Sequence, residues 1–217
     1  SKIAYMFKEI GLKEGDGVLI FLPMSVTLYS TLIAIFKMKL TAIFIDPYDD
    51  IKYIENCCKL FPPRGLVIAD KKLGLLGLLS KEIRKISYKF ILEDRIPFYK
   101  KLSEYENYSD KFDSVEIDRQ TKALITFTNE GDGSPKIIAR SHEFLLNQQE
   151  ILNKALDIDK ESKVLVSLPT FLFSNISSGI TSVVPSVSLK KIEDVDGNEI
   201  TNQIAGENID TIIAPPV

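Results

Sequence analysis

One stretch of this sequence gathers residue types that could handle phosphate: Thr126 to His142, reading TFTNEGDGSPKIIARSH. It leaves an apolar run, passes Gly131, Gly133 and Pro135, meets Lys136, and is expected to enter a helix near Ser141. Glycine permits a sharp turn and a close approach, so a glycine-rich turn after a strand can wrap backbone N–H groups around phosphate oxygens. A neighbouring lysine adds a positive charge. The ending is not the Gly-Lys-Ser/Thr of a Walker loop, because Lys136 follows a proline. The same glycines are also what a plain strand-to-helix turn would use. Glu130 and Asp132 form a carboxylate pair of the kind that is ordinarily hydrated, and no metal site is read from them. His142 reads as a partner at a helix start rather than a general base, since no Ser or Cys nucleophile with a third orienting group is evident.

The elements that must position this stretch are strand-like runs separated by helical patterns. The runs are Val18 to Leu22, Ala42 to Ile45, Leu66 to Ala69, Lys89 to Leu92, Ala123 to Thr128, Val164 to Leu168, Val183 to Pro185 and Thr211 to Ala214. Most are apolar throughout rather than alternating, which suits strands covered on both faces. Ser25 is the expected N-cap of a helix running to Lys39. Asp49 or Asp50 caps the next, which Pro62-Pro63 stops. A longer helix starts at Ser141 with Phe144, Leu145, Ile151, Leu152, Ala155 and Leu156 on its apolar side. Glu93 to Lys122, rich in charge and tyrosine, reads as a connector with a short helix over Phe98 to Tyr105. This rhythm predicts an α/β fold with doubly wound, mostly parallel sheets in two halves. The first subdomain with its connector covers 1–118, and a second, incomplete subdomain carrying the glycine-rich stretch covers 119–217.

Composition narrows the function further. The balance of 27 basic and 30 acidic residues, a net charge of −3, gives no electrostatic footprint for nucleic acid. The only cysteines, Cys57 and Cys58, are adjacent, which suits neither an ordinary disulfide nor, with one distant histidine, a metal site. They read as buried or half-buried thiols in a reducing compartment, so a cytoplasmic location is expected. Val18 to Phe36 carries no charge and approaches the length of a bilayer span. Pro23, Ser25, Thr27, Ser30 and Thr31 interrupt it, so it reads as a buried strand and helix, and no membrane span is expected.

The stretch from Thr128 to His142 resembles the phosphate-binding signature of the adenylate-forming (AMP-binding) superfamily: acyl- and aryl-CoA synthetases, peptide-synthetase adenylation domains and luciferases. That signature reads roughly T-[ST]-G-[ST]-T-G-x-P-K-G, followed shortly by [ST]-H. Thr128, Gly133, Pro135, Lys136, Ser141 and His142 match it. GLKEGDGVLIFLPMS is similar to the family's early G-[ILV]-x-x-G-D-x-V strand. AIFIDP is similar to its A-[IV]-x-x-x-[ND]-P, and KVLVSLPTFLFSNISSG to its later strand and P-[LM]-F-H-x-x-G turn. TIIAPPV stands where the family has a strand ending at a substrate-pocket turn. The PTFLFSN segment, lacking the histidine, looks most like synthetases of fatty or hydroxy-fatty acids.

The resemblance implies ATP and Mg²⁺ as cofactors and a small carboxylic acid as substrate. It assigns phosphate contacts to Thr128, Asn129, Glu130, Gly131, Asp132, Gly133, Ser134, Pro135 and Lys136, and a border of the acyl pocket to Phe171, Phe173 and Gly179. No catalytic residue is assigned. In the family the adenine-stacking segment, the ribose-binding acid and a catalytic lysine come later. The chain therefore reads as the front part of such an enzyme, inactive on its own. Departures keep a second reading open. Asn129 stands at a Ser/Thr position, Glu130 at the first glycine, Gly131 at the next Ser/Thr, Asp132 at the threonine and Ile137 at the glycine after lysine. Two unit charges about 4 Å apart repel by about 4 kcal/mol at an effective dielectric near 20, so two added carboxylates oppose polyphosphate unless Mg²⁺ bridges them. The alternative is a degenerate, non-catalytic module of the same fold that binds a ligand or a protein and needs no cofactor. The strand edges left open at Val217 predict self-association.

Overall fold

Apolar runs with no alternation fold into strands covered on both sides, and β1 (Gly17–Phe21), buried at every position, is the clearest of them. The computed structural model describes residues 1–92, 94–112, 115–129, 134–187 and 196–215. Helix α1 (Lys2–Glu9) precedes β1. Then α2 (Val26–Lys37), β2 (Thr41–Phe44), α3 (Ile51–Leu60), β3 (Pro63–Ile68) and the short helices α4 (Lys71–Gly74), α5 (Leu76–Leu79) and α6 (Lys81–Lys85) follow in order. Next come β4 (Tyr88–Ile91), β5 (Lys100–Lys101), a 3₁₀ helix (Leu102–Asn107), β6 (Lys122–Asn129) and β7 (Pro135–Ser141). These strands form one sheet of order β5-β4-β3-β1-β2-β6-β7, parallel except for the antiparallel β6–β7 hairpin at its edge.

Helices cover both faces, as a doubly wound sheet requires. On one face Leu19, Phe21, Ile43, Leu66, Ile68, Ile91 and Ile125 pack with Ile54, Cys57 and Cys58 of α3 and Ile83 of α6. Residues of opposite parity serve the other face, where Phe7 of α1 meets Phe90 with ring centroids 5.2 Å apart. Each fully buried aliphatic side chain contributes roughly 1.5–3 kcal/mol. The helix starts expected at Ser25 and Asp50 are present: Leu28 N–H donates to Ser25 Oγ (3.2 Å) and Lys52 N–H to Asp50 Oδ1 (2.8 Å). The connector differs from expectation. Phe98 is 95% exposed at φ +69°, so no helix begins there, and the 3₁₀ turn starts at Leu102.

The chain divides into two compact units, Ser1–Leu145 and Leu146–Val217. This division falls later in the sequence than the boundary expected after residue 118. Ala123 and Ile125 of β6 are fully buried in the first sheet, and Thr41 Oγ1 donates to the Lys122 carbonyl (3.1 Å), so β6 belongs with the strands before it. Helix α7 (His142–Leu156) spans the division. The second unit holds β8 (Lys163–Val166), α8 (Pro169–Ser178), β9 (Thr181–Val183), α9 (Gly197–Glu207) and β10 (Thr211–Ile213). Its strands form a parallel sheet of order β10-β8-β9. The expected apolar side of α7 is only partly covered, with Leu145 and Leu152 half-buried. No residue of the helix is buried, and Phe144, Ile151 and Leu156 are exposed.

Candidate functional site

The residues that flank the glycines are the two arms of an antiparallel hairpin, not a strand and a helix. β6 runs to Asn129, β7 starts at Pro135, and the pairing closes with Thr128 opposite Lys136 and Asn129 opposite Pro135. Glu130, Gly131, Asp132 and Gly133 lie outside the described residues. Pro135 is tolerated there because it opens an edge strand, where its missing N–H breaks no ladder. The helix begins where expected, with Ser141 just before His142, its first residue, and Ser141 Oγ accepting from Phe144 N–H at 3.2 Å. Of the described residues on either side, Thr128 is half-buried, Pro135 is buried, and Ser134 and Lys136 are exposed.

Alternation sorts the hairpin's side chains. Ile125 and Phe127 face the α3 side of the sheet. Leu124, Thr126 and Thr128 therefore point to the opposite side. Their direct partners Arg140, Ile138 and Lys136 point the same way. Arg140 bears this out, donating from Nη1 to Thr126 Oγ1 at 2.8 Å while its guanidinium lies 5.8 Å from the Phe144 ring centroid. One face of the hairpin therefore offers two hydroxyls and two cations. Because β6 is parallel to β2, its end at Asn129 lies on the carboxyl-end side of the sheet, where open α/β folds bind ligands.

His142 takes no part in that face. Its backbone N–H donates to the Thr121 carbonyl (3.1 Å) and its ring meets Phe36 edge-on, centroids 5.2 Å apart at 78°. Its Nε2 is buried without a hydrogen-bond partner among the described residues, and burial lowers its pKa. Among the described residues no group of three or more His, Cys, Asp or Glu side chains gathers to hold a metal.

The acyl-pocket candidates are on a helix rather than a turn. Phe171 and Phe173 are both half-buried on α8. Two positions apart they are about 200° apart around the axis, so they do not share one face. Gly179 ends α8 in the left-handed region at φ +75°, the usual role of glycine after a helix. Within the same unit Ser174 and Ser178 hydroxyls both donate to Asn153 Oδ1, and Asn175 donates to Ser182 Oγ (3.0 Å).

A family model for AMP-binding enzymes matches residues 1–206. The chain belongs to that family. The N-terminal domain of FACL13 from Mycobacterium tuberculosis is similar in fold, with a TM-score of 0.80 at 14% identity over 98% of this chain and 53% of that one. A putative long-chain-fatty-acid CoA ligase from Rhodopseudomonas palustris gives 0.80 at 16% identity, covering 99% and 54%. The luciferase-like enzyme of the mealworm Zophobas morio gives 0.79 at 17%, covering 98% and 50%. This AMP-binding chain thus spans about half the length of these structures and shares their adenylate-forming fold. No protein of curated function matches it. No described helix is long and apolar enough to cross a membrane.

Sequence reasoning missed β7, and with it Arg140. The available signal was the β-branched pair Ile137-Ile138 between two cations, directly after a proline.

Proposed function

We propose that this AMP-binding chain is the N-terminal portion of an ATP-dependent acyl ligase, inactive alone, whose β6–β7 turn receives the terminal phosphates of ATP. The observation that carries this reading is the pairing of Thr128 with Lys136 at the mouth of a turn beyond the carboxyl end of a parallel sheet. In the complete reaction a carboxylate oxygen attacks the α-phosphorus of ATP, the bond to the β-phosphate bridge breaks, and pyrophosphate leaves with its electron pair. A thiol then takes the acyl group and releases AMP. Thr128 and Lys136 would hold the phosphates in line for attack. Mg²⁺ bound with them would neutralise charge. Ser134, Pro135, Asn129 and the residues between would shape the turn. A long-chain acyl substrate fits the fatty-acid ligases among the structural neighbours. Either Phe171 or Phe173, with Gly179, would border its pocket. Buried thiols at Cys57 and Cys58 suit a reducing compartment. The edge strand β7, with Ile137 and Ile138 exposed, offers a route to self-association.

The acidic pair Glu130 and Asp132 favours the rival reading, a non-catalytic module of the same fold. Titration calorimetry with Mg-ATP separates the two. Binding by the native chain that tightens in Glu130→Gly/Asp132→Thr supports the nucleotide site. Absence of heat from both proteins, with folded circular-dichroism spectra, overturns it.

A further inference from the structure

Arg140 is one of several half-buried cations of the first unit with no carboxylate partner among the described residues. Two others, Lys37 and Lys89, spend their ammonium groups on Ser1 Oγ and on the Arg84 and Ile86 carbonyls, away from the hairpin, whereas Arg140 lies on it. Its one hydrogen bond goes to Thr126 Oγ1, which leaves several of the guanidinium N–H donors for another acceptor. Thr126 pairs with Ile138, two residues nearer the turn than Arg140 itself. The side chain therefore leans along β7 toward Lys136. At about 3.3 Å of rise per residue, leaning two residues brings the guanidinium level with Ile138, roughly 7 Å short of Lys136. The guanidinium also lies 5.8 Å from the centroid of the Phe144 ring.

We propose that Arg140 is a positioning residue for the polyphosphate of the nucleotide: with Thr126, Thr128 and Lys136 it forms one anion-binding face on the β6–β7 hairpin. The proposal rests on the nucleotide reading given above and extends it to a side chain four residues beyond Lys136. A rigid guanidinium fork matches phosphate oxygens better than an ammonium does.

The test uses the whole chain and two probes, Mg-ATP and inorganic triphosphate with Mg²⁺, measured by calorimetry at several salt concentrations. Arg140→Gln is expected to weaken both probes by the same factor, about ten- to a hundredfold for a charge-assisted hydrogen bond, and to flatten the salt dependence. Arg140→Lys keeps the charge and recovers part of the loss. Thr126→Val, which removes the hydroxyl that aims the fork, gives a smaller loss of the same kind. If the native chain binds both probes and Arg140→Gln binds them equally well, the role of Arg140 is refuted while the nucleotide reading stands. If the native chain binds neither, both fall together. A loss that Arg140→Lys fails to recover at all, with unchanged salt dependence, assigns the residue a structural role and overturns the proposal.

Discussion

Replacing Ile125 with alanine should destabilise the first unit far more than the same change at Ile137, although the two lie on adjacent strands of one hairpin. Ile125 is fully buried in the cluster on the α3 side and pairs directly with Ile43. The substitution removes about three methylene equivalents at about 0.8 kcal/mol each. A cavity term, for a well-packed site that collapses only partly, brings the loss to about 3–4 kcal/mol. Ile137 is 40% exposed on an edge strand, so its neighbours can close over the gap and the loss should stay under about 1 kcal/mol. At roughly 2–4 °C per kcal/mol for a protein of this size, Ile125→Ala should lower the midpoint of a thermal melt by about 6–16 °C. Ile137→Ala should lower it by a few degrees at most. Amide exchange should accelerate along β6 in the first variant alone. Equal losses, or a larger loss at Ile137, would refute the facing of β6 and with it the placement of Thr126, Thr128, Lys136 and Arg140 on the opposite side.

Burial holds the pKa of His142 below its usual value, so the unfolded chain binds more protons than the folded one just below neutrality. The stability this residue permits is complete above about pH 6.5 and falls as the pH drops from there through its folded pKa. The native chain should lose stability between pH 7.5 and 5.5 relative to His142→Phe, and matching pH profiles would contradict this. Burial likewise raises the Cys57 thiol to about 11 and the Cys58 thiol to about 12. A thiolate-directed maleimide at pH 7.5 should label both only after denaturant is added, and rapid labelling of the native protein would show the thiols to be accessible. Gly179→Ala should cost about 1 kcal/mol from its left-handed backbone alone, since nothing lies within 4 Å of an added Cβ. A neutral result in the thermal melt would disprove that conformation.

The sequence made local features legible and non-local ones opaque. Ser25, Asp50 and Ser141 could be read as caps because each acts on N–H groups two or three residues away. The buried strands of the first sheet could be read because continuous apolar runs leave few other structures. The partner of β6 could not, because its pairing with β2 joins residues 82 positions apart, as at Ala42 and Leu124. β7 was hidden by its own exposure: an edge strand with Lys136, Ile137, Ile138 and Ala139 all exposed has no inward set to betray its period. The apolar side of α7 misled in the opposite way, since helical spacing shows that a face exists and not that anything packs on it. For the candidate site, Thr128 and Lys136 were legible from the motif. Their sharing of a face with Arg140 required the register of the hairpin.

The central claim is that the β6–β7 hairpin receives nucleotide phosphates, and amide NMR of the isotope-labelled chain titrated with Mg-ATP tests it most directly. Saturable shifts at Thr126, Thr128, Lys136 and Arg140, with β8 to β10 unmoved, are the predicted result. A saturating titration that leaves those four amides in place, or moves only residues of the second unit, would contradict it.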